Sequence, residues 1–297
     1  MAKGVNKNKI ILINAIVIIF AAAFAIIIHA ALPAPVDALD FDSLPVKLFG
    51  FPVVAVSYFL LLFIHCAIAI QYFGRQSNLP KLEAGYRFGM AFAILYLFGM
   101  QEVVVEASPF EAWGFDYVIY QFFMGLGDAI PVLLLCITLA YFTLAQRKSP
   151  APVRTLSKRG KTLIVASFTL TFFIQRTIGY TTGLVDSNLG NYPVQTYLWT
   201  ALFGAILGCA YIVLYPAFAK EQNTLSLSVQ LSLLTIGANW IIFNSFIGLI
   251  FSSAMPQMLF RSGLDTAVLF LTSFAITRYF IRNNHPYGIS GNPGCAQ

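Results

Sequence analysis

Apolar segments long enough to cross a lipid bilayer recur along nearly the whole chain, as in "FGMAFAILYLF" at 88–98. A membrane-spanning helix needs about 20 such residues. Only 10% of the 297 residues are charged and 58% are hydrophobic, whereas ordinary soluble domains have about 25% charged residues. The pattern predicts an all-α, polytopic integral membrane bundle of about eight transmembrane helices. The predicted spans lie near 10–31, 50–73, 85–107, 117–145, 161–184, 194–219, 229–252 and 259–281.

We expect a single transmembrane domain over 1–285 and a flexible C-terminal tail over 286–297. The loop 146–161, "QRKSPAPVRTLSKRGK", combines proline, serine and basic residues. That composition is typical of a linker over the membrane surface. The net charge of +6 comes from residues spread over short loops. It therefore indicates topology and contact with lipid head groups, with no nucleic-acid partner.

Positive residues favour one orientation of the bundle. If the N-terminus is cytoplasmic, 15 of the 18 Lys and Arg residues fall on the cytoplasmic side, and Lys47, Arg176 and Arg261 are the exceptions. Cytoplasmic loops are enriched in Lys and Arg. An even number of spans then places the C-terminus in the cytoplasm as well.

The first apolar segment also resembles a signal peptide, because lysines precede it and "HAALPA" follows it. Its apolar core is about 19 residues long, whereas a signal core has roughly 7–15. An uncleaved helix is therefore favoured, and cleavage would leave seven spans.

Ionisable residues inside or beside the spans are candidates for function, because a charge in a bilayer costs several kcal/mol, about 3 on insertion scales. Glu102 and Glu106 lie one helical turn apart at the external end of the third span. Asp128 lies in the fourth span near the midplane of the bilayer. Gly125 and Gly127 precede it and Pro131 follows it. The alternative to function is that the glutamates reach water and that the aspartate is structural or protonated.

Arg176, in the polar stretch "TFFIQRTIGYTTG", is the expected counter-charge of Asp128. Arg261 and Asp265 are four residues apart in the eighth span, so they could neutralise each other along one helix. Asn239 and Asn244 in the seventh span could form hydrogen bonds between helices.

These residues lead to the hypothesis of a polar cavity open to the external side. The candidate substrate- or ion-binding residues are Glu102, Glu106, Asp128, Arg176, Asn239, Asn244, Arg261 and Asp265. Counted together, the four acids exceed the two arginines, which favours a cationic solute. The count depends on Asp128 being ionised.

Metal and cofactor sites are not expected. His29 and His65 lie at different depths, and the cysteines Cys66, Cys136, Cys209 and Cys295 form no CxxC pair. This spacing favours neither a zinc site nor a haem held by two histidines.

Three functions remain open. The first is a transporter or permease for a small polar or cationic solute, with proton coupling an option. The second is a non-catalytic sensor or accessory subunit, with the 146–161 loop as a docking site for a membrane or cytoplasmic partner. The third is an intramembrane enzyme acting on a lipid or lipid-linked substrate, although no catalytic motif supports it. We expect a bacterial or archaeal plasma membrane location.

Overall fold

The computed structural model describes residues 7–32, 41–102, 114–145, 156–219 and 223–281, and every regular element in these ranges is helical. In chain order, the α-helices are α1 (Lys7–Ala31), α2 (Leu44–Phe49), α3 (Phe51–Ala69), α4 (Lys81–Gly99), α5 (Gly114–Thr143), α6 (Lys158–Thr182), α7 (Pro193–Phe218), α8 (Thr224–Ser228), α9 (Ala238–Ile250) and α10 (Met255–Ile276). Three π-helical segments, Ile70–Gly74, Val229–Gly237 and Thr277–Ile281, extend α3, join α8 to α9 and extend α10.

Seven helices in the described ranges are long and apolar enough to cross a membrane, so the chain is a multi-pass membrane protein. The third predicted span, 85–107, is the one that is not among these seven. Its first part forms α4, which has 19 residues and carries Glu83 and Arg87, and residues 103–113 lie outside the described ranges. The count of eight spans and the cytoplasmic position of both termini therefore stay predictions.

Helix α4 lies at the centre of the bundle, packed mainly against α5 and α7. Phe88, Phe92 and Tyr96 on this helix are fully buried. The Tyr96 ring is stacked on Phe243 of α9, with centroids 5.1 Å apart. Burial of this aromatic face against α5, α7 and α9 holds a helix with a polar start in an apolar bundle.

Prolines and a glycine set several helix ends. Pro52, Pro193 and Pro256 lie in the first turns of α3, α7 and α10, where a missing N–H group costs nothing. Gly183 ends α6 in the left-handed conformation, with φ of 70°, which glycine adopts without a steric penalty. Helix α6 therefore stops two turns after Arg176, close to one end of the bundle.

The segment before α2 is attached to the end of α9. Asp42 accepts hydrogen bonds from the backbone N–H of Ser252 at 2.9 Å and from its hydroxyl at 2.6 Å. These bonds lower the pKa of the Asp42 carboxyl, so this exposed group is ionised at neutral pH. Ser43 donates to the carbonyl of Leu249 at 2.5 Å. This attachment holds the connection between α9 and α10 in place.

Glycines allow two helix pairs to pack closely. On α7, the GxxxG sequence of Gly204 and Gly208 lies against α6, and a Cβ added at Gly204 would be 2.8 Å from the Thr169 Cα. On α4, Gly85 and Gly89 lie in the same way against α5. Close backbone approach is the role that small residues have in membrane helix interfaces.

Gly204→Ala should destabilise the bundle by about 1–3 kcal/mol, because the new methyl group meets backbone atoms that cannot rotate away. The matched control is Gly263→Ala on α10, where an added Cβ meets nothing within 4 Å. That change should be neutral or stabilising by about 0.5–1 kcal/mol. The midpoint of thermal unfolding in detergent measures both variants, and equal midpoints would contradict the packing argument.

Candidate functional site

Four charged side chains meet near the end of the bundle where α4 and α6 finish. Glu102 follows the end of α4, Arg176 lies on α6, and Arg261 and Asp265 lie on α10. None of the four is more than 3% exposed. We call this set the ionic network. It comprises two acids and two arginines, so its formal charge is zero.

Arg176 binds Asp265 through a planar fork. Its Nε lies 2.9 Å from Oδ1 and its Nη2 lies 2.5 Å from Oδ2. The indole N–H of Trp240 on α9 donates to the same Oδ2 at 3.0 Å. Three N–H donors therefore surround one buried carboxylate, and hydrogen bonds to an ionised group are among the stronger ones.

Glu102 lies between the two arginines. Its Oε1 is 2.6 Å from Arg176 Nη2 and 3.3 Å from Arg261 Nε. The order of contacts is therefore Asp265–Arg176–Glu102–Arg261. If the central contact between Arg176 and Glu102 opened, each half would remain a neutral pair.

Asn244 on α9 holds the far end of the network. Its side-chain oxygen accepts a hydrogen bond from Arg261 Nη2 at 2.9 Å, and its amide donates to the Trp240 carbonyl at 3.0 Å. Met258 Sδ lies 3.1 Å from the same Arg261 nitrogen. Helix α9 therefore contacts both halves of the network, through Trp240 and Asn244.

Aromatic rings cover the Arg176 guanidinium. Its central carbon lies 5.1 Å from the Phe172 ring centroid and 5.7 Å from that of Trp199. Desolvated cation–π contacts are worth about 2 kcal/mol. Trp199 is oriented by its own N–H, which donates to the Phe98 carbonyl at 3.0 Å. Sequence reasoning missed Trp199 and Trp240, although the N–H of a buried tryptophan usually needs an acceptor.

Gly99 makes room for Trp240. A Cβ at this position would be 2.6 Å from the Trp240 ring. The glycine at the end of α4 thus lets the indole reach Asp265. No pattern in the sequence indicated this role.

Asp128 is outside the ionic network, which corrects its expected pairing with Arg176. Its Oδ1 lies 3.4 Å from Nε2 of His29 on α1, whereas Arg176 binds Glu102 and Asp265. Asp128 lies on α5 and is 1% exposed. The carboxylate that the sequence placed deepest therefore belongs to a second, separate ionisable pair.

The two asparagines have different surroundings. Asn244 belongs to the ionic network, but Asn239 donates to Nδ1 of His65 at 3.1 Å and to Cys66 Sγ at 3.4 Å. The Tyr96 hydroxyl lies 3.2 Å from the same sulfur. Asn239 thus joins α3, α4 and α9 in a neutral hydrogen-bond group. Glu106, the remaining candidate, lies outside the described residues.

Arg261 and Asp265, which were expected to neutralise each other along one helix, have partners beyond α10. Each has an ion-pair partner on another element: Glu102 for Arg261 and Arg176 for Asp265. Neutralisation is therefore not confined to one helix. Among the described residues the cluster contains two acids and two arginines, because Asp128 lies elsewhere and Glu106 lies outside the described ranges.

Both carboxylates of the network have cationic or N–H partners. Asp265 accepts from three N–H groups, and Glu102 contacts both arginines. Among the described residues, no group of three or more His, Cys, Asp and Glu side chains is arranged to hold a metal ion.

Comparison of the chain with known protein families, curated proteins and solved structures finds no match. Function therefore has to be argued from the chemistry of the site.

Arg176→Gln should destabilise the protein by about 3–5 kcal/mol, because it leaves Asp265 and Glu102 buried with much of their counter-charge removed. The double variant Arg176→Gln with Asp265→Asn should lose less than the sum of the single variants, because both members of one pair are neutralised together. Unfolding in a denaturing detergent, measured as a double-mutant cycle, gives the coupling.

The control is Arg87→Gln, which breaks the partly exposed ion pair between Arg87 and Glu83, 2.7 Å apart, and a hydrogen bond from Arg87 to the Val213 carbonyl at 3.1 Å. Such pairs contribute about 1 kcal/mol or less. If Arg176→Gln cost no more than Arg87→Gln, the ionic network would not be a major stabilising element.

Proposed function

We propose that the protein is a membrane transporter for a small polar solute and that the ionic network is a gate between α4 and α6. The observation that carries this proposal is the order of the four charges. The central contact joins Glu102 to Arg176, and each outer contact joins one of these residues to α10.

This arrangement lowers the cost of opening. Stranding a buried charge costs several kcal/mol, but separating Glu102 from Arg176 strands neither. Glu102 keeps Arg261, and Arg176 keeps Asp265. A passage between the end of α4 and α6 can therefore open while both sides remain paired with α10.

Polar groups beside the network fit a solute pathway. Gln101 and Gln175, next to Glu102 and Arg176 in the chain, each have buried amide atoms without a hydrogen-bond partner among the described residues. The Thr177 hydroxyl has the same property. Such groups gain most from a polar ligand or water. This supports a polar solute, and the neutral network gives no reason to prefer a cation.

Helix irregularity next to the network supports movement. The π-helical segment Val229–Gly237 ends three residues before Trp240. A Cβ at Gly237 would be 2.4 Å from a methyl group of Thr266, which follows Asp265. π-helical turns are frequent at functional sites and interrupt the regular hydrogen-bond ladder. Rearrangement of this segment would therefore be transmitted to Trp240 and Asp265.

A small polar solute should raise the thermal unfolding midpoint of the purified protein, because a ligand that binds the native state stabilises it by mass action. The probes are amino acids, polyamines, sugars and nucleosides, tested singly at millimolar concentration. A stabilising solute is then tested in radiolabelled form for uptake into proteoliposomes.

Glu102→Gln should lower that uptake by about tenfold, the equivalent of about 1.4 kcal/mol, because it removes the negative charge that both arginines contact. Glu83→Gln, in the partly exposed pair with Arg87, is the matched control and should leave uptake unchanged. Failure of every probe to bind or enter would contradict the proposal, as would equal uptake by the two variants.

A non-catalytic accessory subunit is the second candidate, because the ionic network is balanced without any ligand. In that case the network is a fixed lock between helices. The protein would then co-purify in a fixed ratio with a partner and would transport none of the probes.

A further inference from the structure

His29 and Asp128 form an ionisable pair apart from the ionic network. His29 lies in the last turn of α1, and Asp128 lies on α5. Nε2 of the histidine is 3.4 Å from Oδ1 of the aspartate. The histidine side chain is 15% exposed and the aspartate side chain is 1% exposed. The pair therefore has one more accessible member and one fully enclosed member.

The other ring nitrogen determines the tautomer of His29. Nδ1 lies 2.8 Å from the carbonyl oxygen of Ala25. A backbone carbonyl can only accept, so Nδ1 must carry the hydrogen. In a neutral imidazole, Nε2 then has a lone pair and no hydrogen.

With this tautomer, Nε2 and Asp128 Oδ1 repel each other, and one added proton removes the repulsion. If His29 is neutral and Asp128 is ionised, a lone pair on Nε2 faces a negatively charged oxygen. Asp128 Oδ1 has no hydrogen-bond partner among the described residues, and an unpaired buried charge is costly. We propose that His29 and Asp128 are a binding site for a single proton, held between Nε2 and Oδ1.

The surroundings keep the pair together and limit competing partners. An added Cβ at Gly127 would be 3.1 Å from the His29 ring, a tight contact that the glycine avoids. Phe59 of α3 packs against the same ring at 5.2 Å. The titratable group that α3 contributes within electrostatic range of Asp128 is Tyr58, whose hydroxyl donates to the Phe243 carbonyl at 3.3 Å.

A proton held here can couple to transport, a role that rests on the proposed function. Protonation converts a repulsive contact between α1 and α5 into a hydrogen bond or ion pair. It therefore favours conformations in which these helices stay together. The more exposed His29 is the entry point for the proton, and Asp128 is the enclosed acceptor.

The site can be tested without any transport assay. The full-length chain, labelled with ¹⁵N-histidine and inserted into phospholipid nanodiscs, is titrated with acid and base. The ¹⁵N shifts report which ring nitrogens carry hydrogen, and infrared difference spectra report protonation of the carboxyl group. In the native protein, we expect His29 and the carboxyl signal to change in one common titration step.

Asp128→Asn should remove the carboxyl signal and weaken proton binding by His29 about tenfold or more, a shift of about one pH unit. The reason is that an amide can donate to Nε2 and favours the neutral ring, whereas a carboxylate favours the added proton. His29→Gln should remove the common step. His65→Gln is the matched control and should leave it intact.

An unchanged His29 titration in Asp128→Asn would overturn the proposal, as would a native protein in which Nε2 remains bare while Asp128 titrates alone. The native spectra decide this even if a variant fails to fold. In proteoliposomes, Asp128→Asn should make solute uptake independent of a pH gradient. If no solute is transported but the common step is present, the proposed function fails and the proton site stands.

Discussion

The ionic network depends on the fact that no charge in it is left unpaired. Transfer of an isolated arginine or carboxylate into a dry protein interior costs several kcal/mol. Arg176 offsets that cost by binding Asp265 through two nitrogens and contacting Glu102 through one of them. Arg261 and Asn244 complete the arrangement at the other end. Helices α6, α9 and α10 and the end of α4 are therefore held in one relative position.

The same pairing that stabilises the closed arrangement makes an alternative arrangement accessible. Glu102 contacts two arginines and Arg176 contacts two acids, so a change of partners can occur without leaving a bare charge. Trp240 reaches Asp265 only because Gly99 has no side chain. The end of α4 thus supplies both the space for Trp240, at Gly99, and the carboxylate that contacts the arginines, at Glu102. The proposed gate rests on this combination.

The bundle contains two separate ionisable sites, and each joins a different set of helices. The ionic network joins α4, α6 and α10, whereas His29 and Asp128 join α1 to α5. Helices α4 and α5 are closely packed through Gly85 and Gly89. Helix α5, which carries Asp128, therefore packs directly against the helix that precedes Glu102. Coupling between distant sites requires such physically connected elements.

Much of the architecture could be predicted because it depends on local composition. The apolar lengths located the helices to within a few residues, as for 50–73 against the Phe51–Gly74 helix. Insertion of π-helical turns escaped detection, since apolar periodicity does not record a change in backbone hydrogen bonding. Whether the predicted span 85–107 crosses the membrane could not be decided, because α4 begins with polar residues and its burial depends on neighbouring helices.

The sequence by itself determined that the chain enters a membrane and which side chains would be costly there, because transfer free energy is a property of each residue. Only the tertiary structure decided the partners. Asp128 was expected beside Arg176 but faces His29, and Arg261 reaches Glu102 from another helix. Helix rotation and close approach at glycines set these contacts. Helix rotation and close approach depend on how all the helices pack together. The spacing of residues along one helix carries no information about that packing.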